Sequence, residues 1–365
     1  RLLHMSRNPM PNVVFIMADD LGYGDIGCFG NTRIQTPNID ALASRGLTFT
    51  DYHSNGAVCT PTRAALMTGR YQQRCGLEGV IYVRGESRQT GLDTGQHCLV
   101  KTMRDAGYAT AVFGKWHLGY RTEFNPVHHG FDLFRGYVSG NVDYHSHMDN
   151  SGIPDWWHNL EQVEEEGYVT VLVTDHAIRF IQEQADRPFF AYVAHEAPHW
   201  PYQGRHDKAD RFPGVDFPPR GSRPDYHAAY KEMVEAMDEG VGRIVETVRE
   251  CGIEENTLIV FCSDNGGEPQ VGDNGDLRGA KGSLFEGGHR VPAVASWKGR
   301  IPAGTTTGET VLGMDWLPTL LAISGAGPTA AAPPPDGIDI TGLLLNQSPL
   351  PDRPTFWRYR GAKAV

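Results

Sequence analysis

Four strand-sized apolar runs in this chain end on polar, chemistry-bearing residues, and that repeated pairing constrains the fold more than any other feature. Asn12–Ala18 (NVVFIMA) runs into Asp19 and Asp20. Ala109–Phe113 leads to Lys115, Phe189–Ala194 leads to His195 and on to His199, and Thr257–Cys262 leads to Asp264. Runs that are apolar at consecutive rather than alternate positions are buried on both faces, as in the parallel strands of an α/β sheet. Between them lie stretches of helical periodicity. These are Asn38–Arg45, Gln96–Ala106, Val169–Gln184 (Val173, Ala177, Phe180 and Ile181 on one face), Tyr226–Glu250 (Met233, Met237, Val241 and Val245 along one side) and Asp315–Ile323. Pro292–Ser296 reads as a further strand. The alternation predicts an α/β fold, a mostly parallel central sheet with helices on both faces. Ligands of such sheets bind beyond the carboxyl ends of the strands, which is where the polar residues fall.

Of the 365 residues, 40% are hydrophobic and 21% charged, which suits a large apolar core. The net charge is −11 and no basic stripe is present, so nucleic acid is excluded as the expected partner. An anionic substrate would have to be held by local cations or a metal, not by the overall field. No run of 18 apolar residues occurs, so no membrane span is expected. The six cysteines (Cys28, Cys59, Cys75, Cys98, Cys251 and Cys262) are scattered and form no C-x-x-C pair, which argues against a disulfide framework or a zinc site. Gly325–Gly337, rich in Ala, Pro and Gly, reads as an irregular connection. Thr355–Tyr359 reads as the start of a strand.

The residues at the strand ends form recognisable sets. Asp19 and Asp20 repel each other unless a cation sits between them. Asp264-Asn265-Gly266-Gly267 offers further hard oxygen ligands, with glycines that let backbone approach closely. Three carboxylates and one amide suit Ca²⁺, suit Mg²⁺ less well, and do not suit zinc. In Gly114-Lys115-Trp116-His117 the Lys and His are two apart, so in extended chain they point the same way. In Cys59-Thr60-Pro61-Thr62-Arg63, Pro61 suits the first turn of a helix. Cys59 then stands at a helix N-terminus beside Arg63, and both features favour negative charge there.

Cys59-x-Pro61-x-Arg63, followed by Thr68-Gly69-Arg70, resembles the signature of the type I sulfatases, a branch of the alkaline phosphatase superfamily. Gly114–Gly119 resembles the family's second signature, and Pro198-His199-x-Pro201 its Pro-His-x-Pro segment. Leu277–Gly282, ahead of Phe285–Pro292, is similar to the stretch that carries the family's sulfate-binding lysine, here Lys281. Five motifs occur in the family's order between Pro11 and about Val294.

The resemblance implies an alkaline-phosphatase-like fold and sulfate ester hydrolysis. Cys59 would be oxidised to formylglycine, whose hydrate is the nucleophile. Asp19, Asp20, Asp264 and Asn265 would hold Ca²⁺ together with an oxygen of modified Cys59. Arg63 and Lys115 would stabilise the hydrate, Lys115 and Lys281 would bind sulfate, and Asp264 would take the proton of the attacking hydroxyl. His199, with Lys281, would protonate the leaving alcohol, and His117 would deprotonate the second hydroxyl. His195 is expected to be structural, and Arg278, Glu286 and Arg290 to hold their loop by ion pairs. Gly136–His147 and Asp155–His158 are polar and aromatic; they read equally as a sugar-binding wall or as an ordered surface loop. A sulfated carbohydrate is the leading substrate. Alternatives are a small aryl sulfate, a phosphonate or phosphodiester substrate, or a non-catalytic binding role with unmodified cysteine. The family further implies a formylglycine-generating or anaerobic maturation enzyme and a periplasmic or secreted location. Its catalytic domain would occupy 11–325. From 326 to 365 a linker and only the beginning of the small C-terminal antiparallel subdomain are expected, the rest being missing.

Overall fold

Asn12–Ala18 forms the first strand of a large sheet, and all seven of its residues are buried. The computed structural model describes residues 10–327 and 332–365. In chain order its elements are β1 (Asn12–Ala18), α1 (Pro37–Ser44), β2 (Leu47–Phe49), β3 (Tyr52–His53), α2 (Cys59–Thr68), α3 (Leu99–Asp105), β4 (Ala109–Lys115), β5 (Leu133–Tyr137), β6 (Trp157–His158) and β7 (Glu161–Gln162). There follow α4 (Val169–Glu183), β8 (Phe189–Ala194), α5 (Tyr226–Glu250), β9 (Thr257–Ser263), α6 (Glu286–His289), β10 (Ala293–Ser296), β11 (Thr305–Thr307), β12 (Val311–Leu312), α7 (Trp316–Ser324), α8 (Thr341–Asn346), β13 (Trp357–Tyr359) and β14 (Ala362–Ala364).

Ten strands make one sheet in the order β11-β2-β10-β9-β1-β8-β4-β5-β6-β7. The central strands β9, β1, β8, β4 and β5 are parallel. β10 joins β9 antiparallel, and β6 and β7 extend the far edge antiparallel. β1 shows why its run is unbroken. Val13, Phe15 and Met17 enter the core formed with α2, α3, α7 and α8, whereas Val14, Ile16 and Ala18 enter the opposite core under α1, α4 and α5. α5 presents Met233, Met237, Val241, Ile244 and Val248 to that second core. Its N-terminus is capped by Asp225, whose carboxylate accepts from the Ala228 N–H at 3.1 Å.

Phe15 meets Tyr192 and Trp316 edge-on, with centroids 6.2 and 5.6 Å away. Phe15→Ala is expected to cost about 3–5 kcal/mol, seen as a lower urea midpoint at unchanged slope. A loss below about 1 kcal/mol would mean that the layer closes over the gap.

The expected strands at 12–18 and 189–194 and the helix at 226–250 match the structure. Two strands run further than expected, to Lys115 and to Ser263, so Lys115 is the last residue of β4 rather than a loop residue. The helix expected from Gln96 starts only at Leu99. β5 (LFRGY) was hidden because Arg135 and Gly136 interrupt its apolar character; Arg135 leaves the sheet to pair with Glu165 at 2.8 Å. Of the connection expected at 325–337, residues 328–331 lie outside the described residues, and the flanking described residues form no helix or strand. Beyond it, Ile340, Leu343 and Leu344 join the same core as α7, and β13 pairs with β14 as an antiparallel hairpin. All six cysteines are free. No helix among the described residues is long and apolar enough to cross a membrane.

Candidate active site

The strand order sets β9, β1, β8 and β4 side by side, so four segments leave the sheet at one edge. Asp19 and Asp20 follow β1, Asp264 and Asn265 follow β9, and Lys115 ends β4. His199 lies in the loop after β8, and the N-terminus of α2 brings Cys59 to the same point. Next to Asn265, the loop after β9 meets α6 with no room for a side chain: a Cβ at Gly266 would lie 1.8 Å from the Gly287 carbonyl oxygen, and the Gly266 N–H donates to the Gly288 carbonyl at 2.9 Å.

The Cys59 thiol lies 3.4 Å from Asp19 Oδ1. Lys115 Nζ donates to Asp19 Oδ2 at 2.5 Å, and Lys281 Nζ to Asp20 Oδ2 at 2.6 Å. Arg63 spans the group, 2.8 Å from Asp264 Oδ2 and 3.9 Å from Asp19 Oδ1. Asp20 holds φ +63°, a left-handed conformation that Asp tolerates better than most side chains. Its N–H donates to Asp264 Oδ1 at 3.2 Å. Three buried carboxylates thus face three cations.

The donor set fits a divalent cation. Burial, and then the Asp264 carboxylate, push Asp19 above the usual carboxylate range despite Lys115 and Arg63, so a further cation would favour its charged form. Asn265 donates its Nδ2 to Asp20 Oδ1 (2.8 Å) and to the Gly266 carbonyl (3.0 Å), which leaves its buried Oδ1 without a partner. Asp19, Asp20, Cys59 and His199 each offer a ligand atom, all within 4.8 Å of one another. The Asp19 and Asp20 carboxylates with the free Asn265 Oδ1 supply three hard oxygens of the kind that Ca²⁺ or Mg²⁺ takes.

Both site histidines are pushed well below their ordinary range, by burial first and then by neighbouring cations: Lys115 for His117, Lys281 and Lys115 for His199. His117 Nε2 lies 2.9 Å from the Ile81 carbonyl, so it carries the hydrogen and Nδ1 is left open. His199 Nδ1 lies 2.6 Å from the Trp200 carbonyl, which commits that N–H and leaves Nε2 3.6 Å from Asp20. Above these groups lies a cavity of about 440 Å³, floored by Cys59, His117, His199 and Lys281. A larger cleft of about 590 Å³ beside Leu42, Val245 and Ile301 gathers no comparable set.

Every expected site residue (Asp19, Asp20, Cys59, Arg63, Lys115, His117, His199, Asp264, Asn265 and Lys281) comes to this one place, but two local expectations fail. Cys59 is not shifted toward the anion as expected: burial, then Asp19, push its thiol above the usual range against the pull of Lys115 and Lys281. Lys115 and His117 do not share a face of an extended chain, because His117 holds φ +54°; that kink turns its ring toward the cavity.

His195 is wholly buried, neither ring nitrogen has a partner, and burial pushes it down to about 4. Arg290 pairs with Glu286 and Asp51, each at 3.3 Å. Arg278 instead lies 3.8 Å over the Phe285 ring, a cation–π contact in place of the expected ion pair. The polar, aromatic stretch divides. Ser139, Gly140 and Asn141 line the cavity, whereas Tyr144, His147 and Trp156 are buried structure. Asp155 accepts from the N–H groups of Val138 and Ser139, which fixes that wall. Tyr82, Glu268, Tyr359 and Arg360 also line the cavity and were not anticipated. The one local signal beside them is Gly361, a turn-forming residue next to Arg360.

Comparison with known proteins agrees with this geometry. Residues 11–326 match the family model described as Sulfatase. N-acetylgalactosamine-6-sulfatase of Canis lupus familiaris is 34% identical over 378 residues, covering 96% of this chain and 69% of that protein. Arylsulfatase A of Homo sapiens is 34% identical over 381 residues, covering 95% and 70%. Among solved structures, Ps i-CgsB in complex with k-i-k-neocarrahexaose superposes with a TM-score of 0.86 at 33% identity, covering 96% of this chain and 80% of that one. With Cys59, the carboxylate cluster and the buried lysines converging at the carboxyl ends of the central strands, the chain belongs to the sulfatase family and is a sulfuric ester hydrolase.

Proposed function

We propose that this enzyme hydrolyses a sulfate ester on a sulfated carbohydrate, with Cys59 matured to formylglycine and Ca²⁺ held by Asp19, Asp20, Asp264 and Asn265. The observation that carries the reading is the placement of Cys59 at the cavity floor, 3.4 Å from Asp19, with Lys115 and Lys281 paired to the flanking carboxylates. The carbohydrate class is supported by the oligosaccharide bound to Ps i-CgsB and by the aminosugar sulfatases among the relatives. A dedicated maturation enzyme would act on the Cys59 segment before it is buried in the fold.

Formylglycine hydrate would supply an oxygen nucleophile stronger than a buried thiol, and the cation would offset charge on the sulfate oxygens. The chain's own residues do the rest. Three carboxylates balance Arg63, Lys115 and Lys281, so a bound divalent cation leaves the pocket positive and drawn to an anion. Lys115 and Lys281 reach the sulfate oxygens, and Arg63 locks Asp264 in place. His199 presents only Nε2 to the cavity, because Nδ1 is tied to the Trp200 carbonyl. An anion beside Nε2 favours its protonation, so substrate binding charges the group that then protonates the leaving alcohol. His117, held through Nε2, offers Nδ1 as the base.

These roles separate by leaving group. His199→Ala should lose roughly 10²–10⁴-fold on a sugar sulfate, whose alkoxide needs a proton, and far less on nitrophenyl sulfate. His117→Ala should slow both substrates alike. Equal losses for His199→Ala across leaving groups of very different pKa, with chemistry rate-limiting, would remove the acid role.

A further inference from the structure

The hairpin β13–β14 pairs Tyr359 with Ala362, so its loop is only Arg360 and Gly361. Both have positive φ, +47° and +83°. This is the two-residue turn that ordinarily takes Asn-Gly, because a long side chain at its first position is strained. The strain is not offset by an ion pair. Among the described residues no carboxylate pairs with Arg360; its guanidinium lies 5.2 Å over the Tyr359 ring and 3.5 Å from the Tyr82 hydroxyl. Its neighbour two residues back, Arg358, is by contrast neutralised by Glu78.

The turn is aimed at the cavity. Tyr359 and Arg360 line it with Cys59 and Lys281, and the Tyr359 ring packs on the backbone beside Lys281, a Cβ at Gly282 being 3.9 Å from it. The hairpin is anchored from below. Trp357 stacks on His289 at 4.2 Å, and its indole N–H donates to the Ser54 carbonyl at 2.8 Å. A second cation without a carboxylate partner stands near the same rim: Arg88 lies 4.7 Å over the ring of Tyr120, another lining residue, and donates to the Val83 carbonyl. In a chain of net charge −11, an exposed guanidinium at the mouth beside two tyrosines, separate from the lysines of the sulfate site, marks a second anion site.

We infer that Arg360 is a specificity-determining residue that binds a second anionic group, a sulfate or carboxylate, on the sugar portion of the substrate. The preferred substrate is then a polyanionic oligosaccharide rather than a neutral sugar bearing one sulfate. The inference rests on the sulfated-carbohydrate reading above. A guanidinium binds a sulfate or carboxylate through paired N–H donors. The tyrosine faces orient it and can carry the sugar ring between the two anions.

The test uses Arg360→Asn, which suits the turn better than arginine and so leaves the hairpin at least as stable. Wild type and variant are compared on nitrophenyl sulfate and on matched oligosaccharides that carry the scissile sulfate with or without a second anionic group. For wild type, kcat/KM should favour the doubly anionic sugar, and the preference should shrink with added salt. Arg360→Asn should lose about tenfold on that sugar alone, the weight of a charge-assisted hydrogen bond, at unchanged melting temperature and unchanged nitrophenyl sulfate turnover. Equal rates for variant and wild type on the doubly anionic sugar, or an equal loss on every substrate, would overturn the assignment. If wild type turns over nitrophenyl sulfate but no sulfated sugar, the carbohydrate reading fails instead, whatever the variant does.

Discussion

Cys59→Ala is expected to fold and to lose sulfate ester turnover by about 10⁴-fold or more, the scale seen when a nucleophile is removed. Cys59 is the first residue of α2, with Val58 as its extended N-cap, and the remaining helix carries its own packing through Ala64, Leu66 and Met67. The lost thiol touches Asp19 at 3.4 Å, and its removal takes one buried heavy atom, worth about 1 kcal/mol of stability. The melting temperature therefore separates a missing nucleophile from a missing fold. The buried thiol, raised by burial and Asp19, is a poor nucleophile as it stands. Activity should accordingly track the fraction of protein whose intact mass is lowered by about 18 Da, the change when –CH₂SH becomes –CHO. Cys59→Ser, nearly isosteric, should be as inactive as Cys59→Ala in a host that does not oxidise serine. Wild-type turnover by Cys59→Ala, or activity independent of the mass shift, would refute the mechanism.

Asp20→Ala is expected to abolish calcium retention and lower activity by more than about 10³-fold. Asp20 links three partners: Lys281 at 2.6 Å, Asn265 at 2.8 Å, and His199 at 3.6 Å. Removing the carboxylate deletes an oxygen ligand and leaves the Lys281 ammonium unpaired and largely buried. Alanine is also strained at φ +63°, where Asn is tolerated better. Asp20→Asn therefore keeps the backbone and loses only the charge, and it should still lose the metal. Elemental analysis after dialysis reads the result. Full calcium occupancy in folded Asp20→Ala, which offers no side-chain oxygen, would exclude Asp20 as a ligand. In wild type a chelator should lower the melting temperature, because a cation that binds only the native state stabilises it by mass action; in Asp20→Asn the chelator should have no effect.

The sheet was legible because the physics that buries its strands acts residue by residue. β1, β8 and β9 lie between two cores, so between their end residues the side chains had to be apolar, and unbroken runs mark them without any knowledge of partners. The same local logic placed the carboxylates and Lys115, since they stand at or just past those strand ends. β5 escaped because its Arg135 is reconciled with the sheet by Glu165 and His176, 30 and 41 residues further along the chain.

The chemical state of the site was decided by tertiary structure alone. The helix N-terminus and Arg63 argued for an anionic Cys59, but burial and a carboxylate 40 positions earlier outweigh them. His117 reaches the cavity through a left-handed backbone kink, not through strand alternation. The outer wall comes from Tyr82, Tyr359 and Arg360, whose segments carry no periodic signal. They meet because Trp357 docks on His289 and Ser54, contacts that span 68 and 303 positions of sequence. Most of the residues that gather at the cavity were therefore marked locally, at strand ends and one helix start. Their charge states and the shape of the substrate wall arise only when distant segments exclude water from one another, because desolvation and long-range packing have no counterpart in a linear chain.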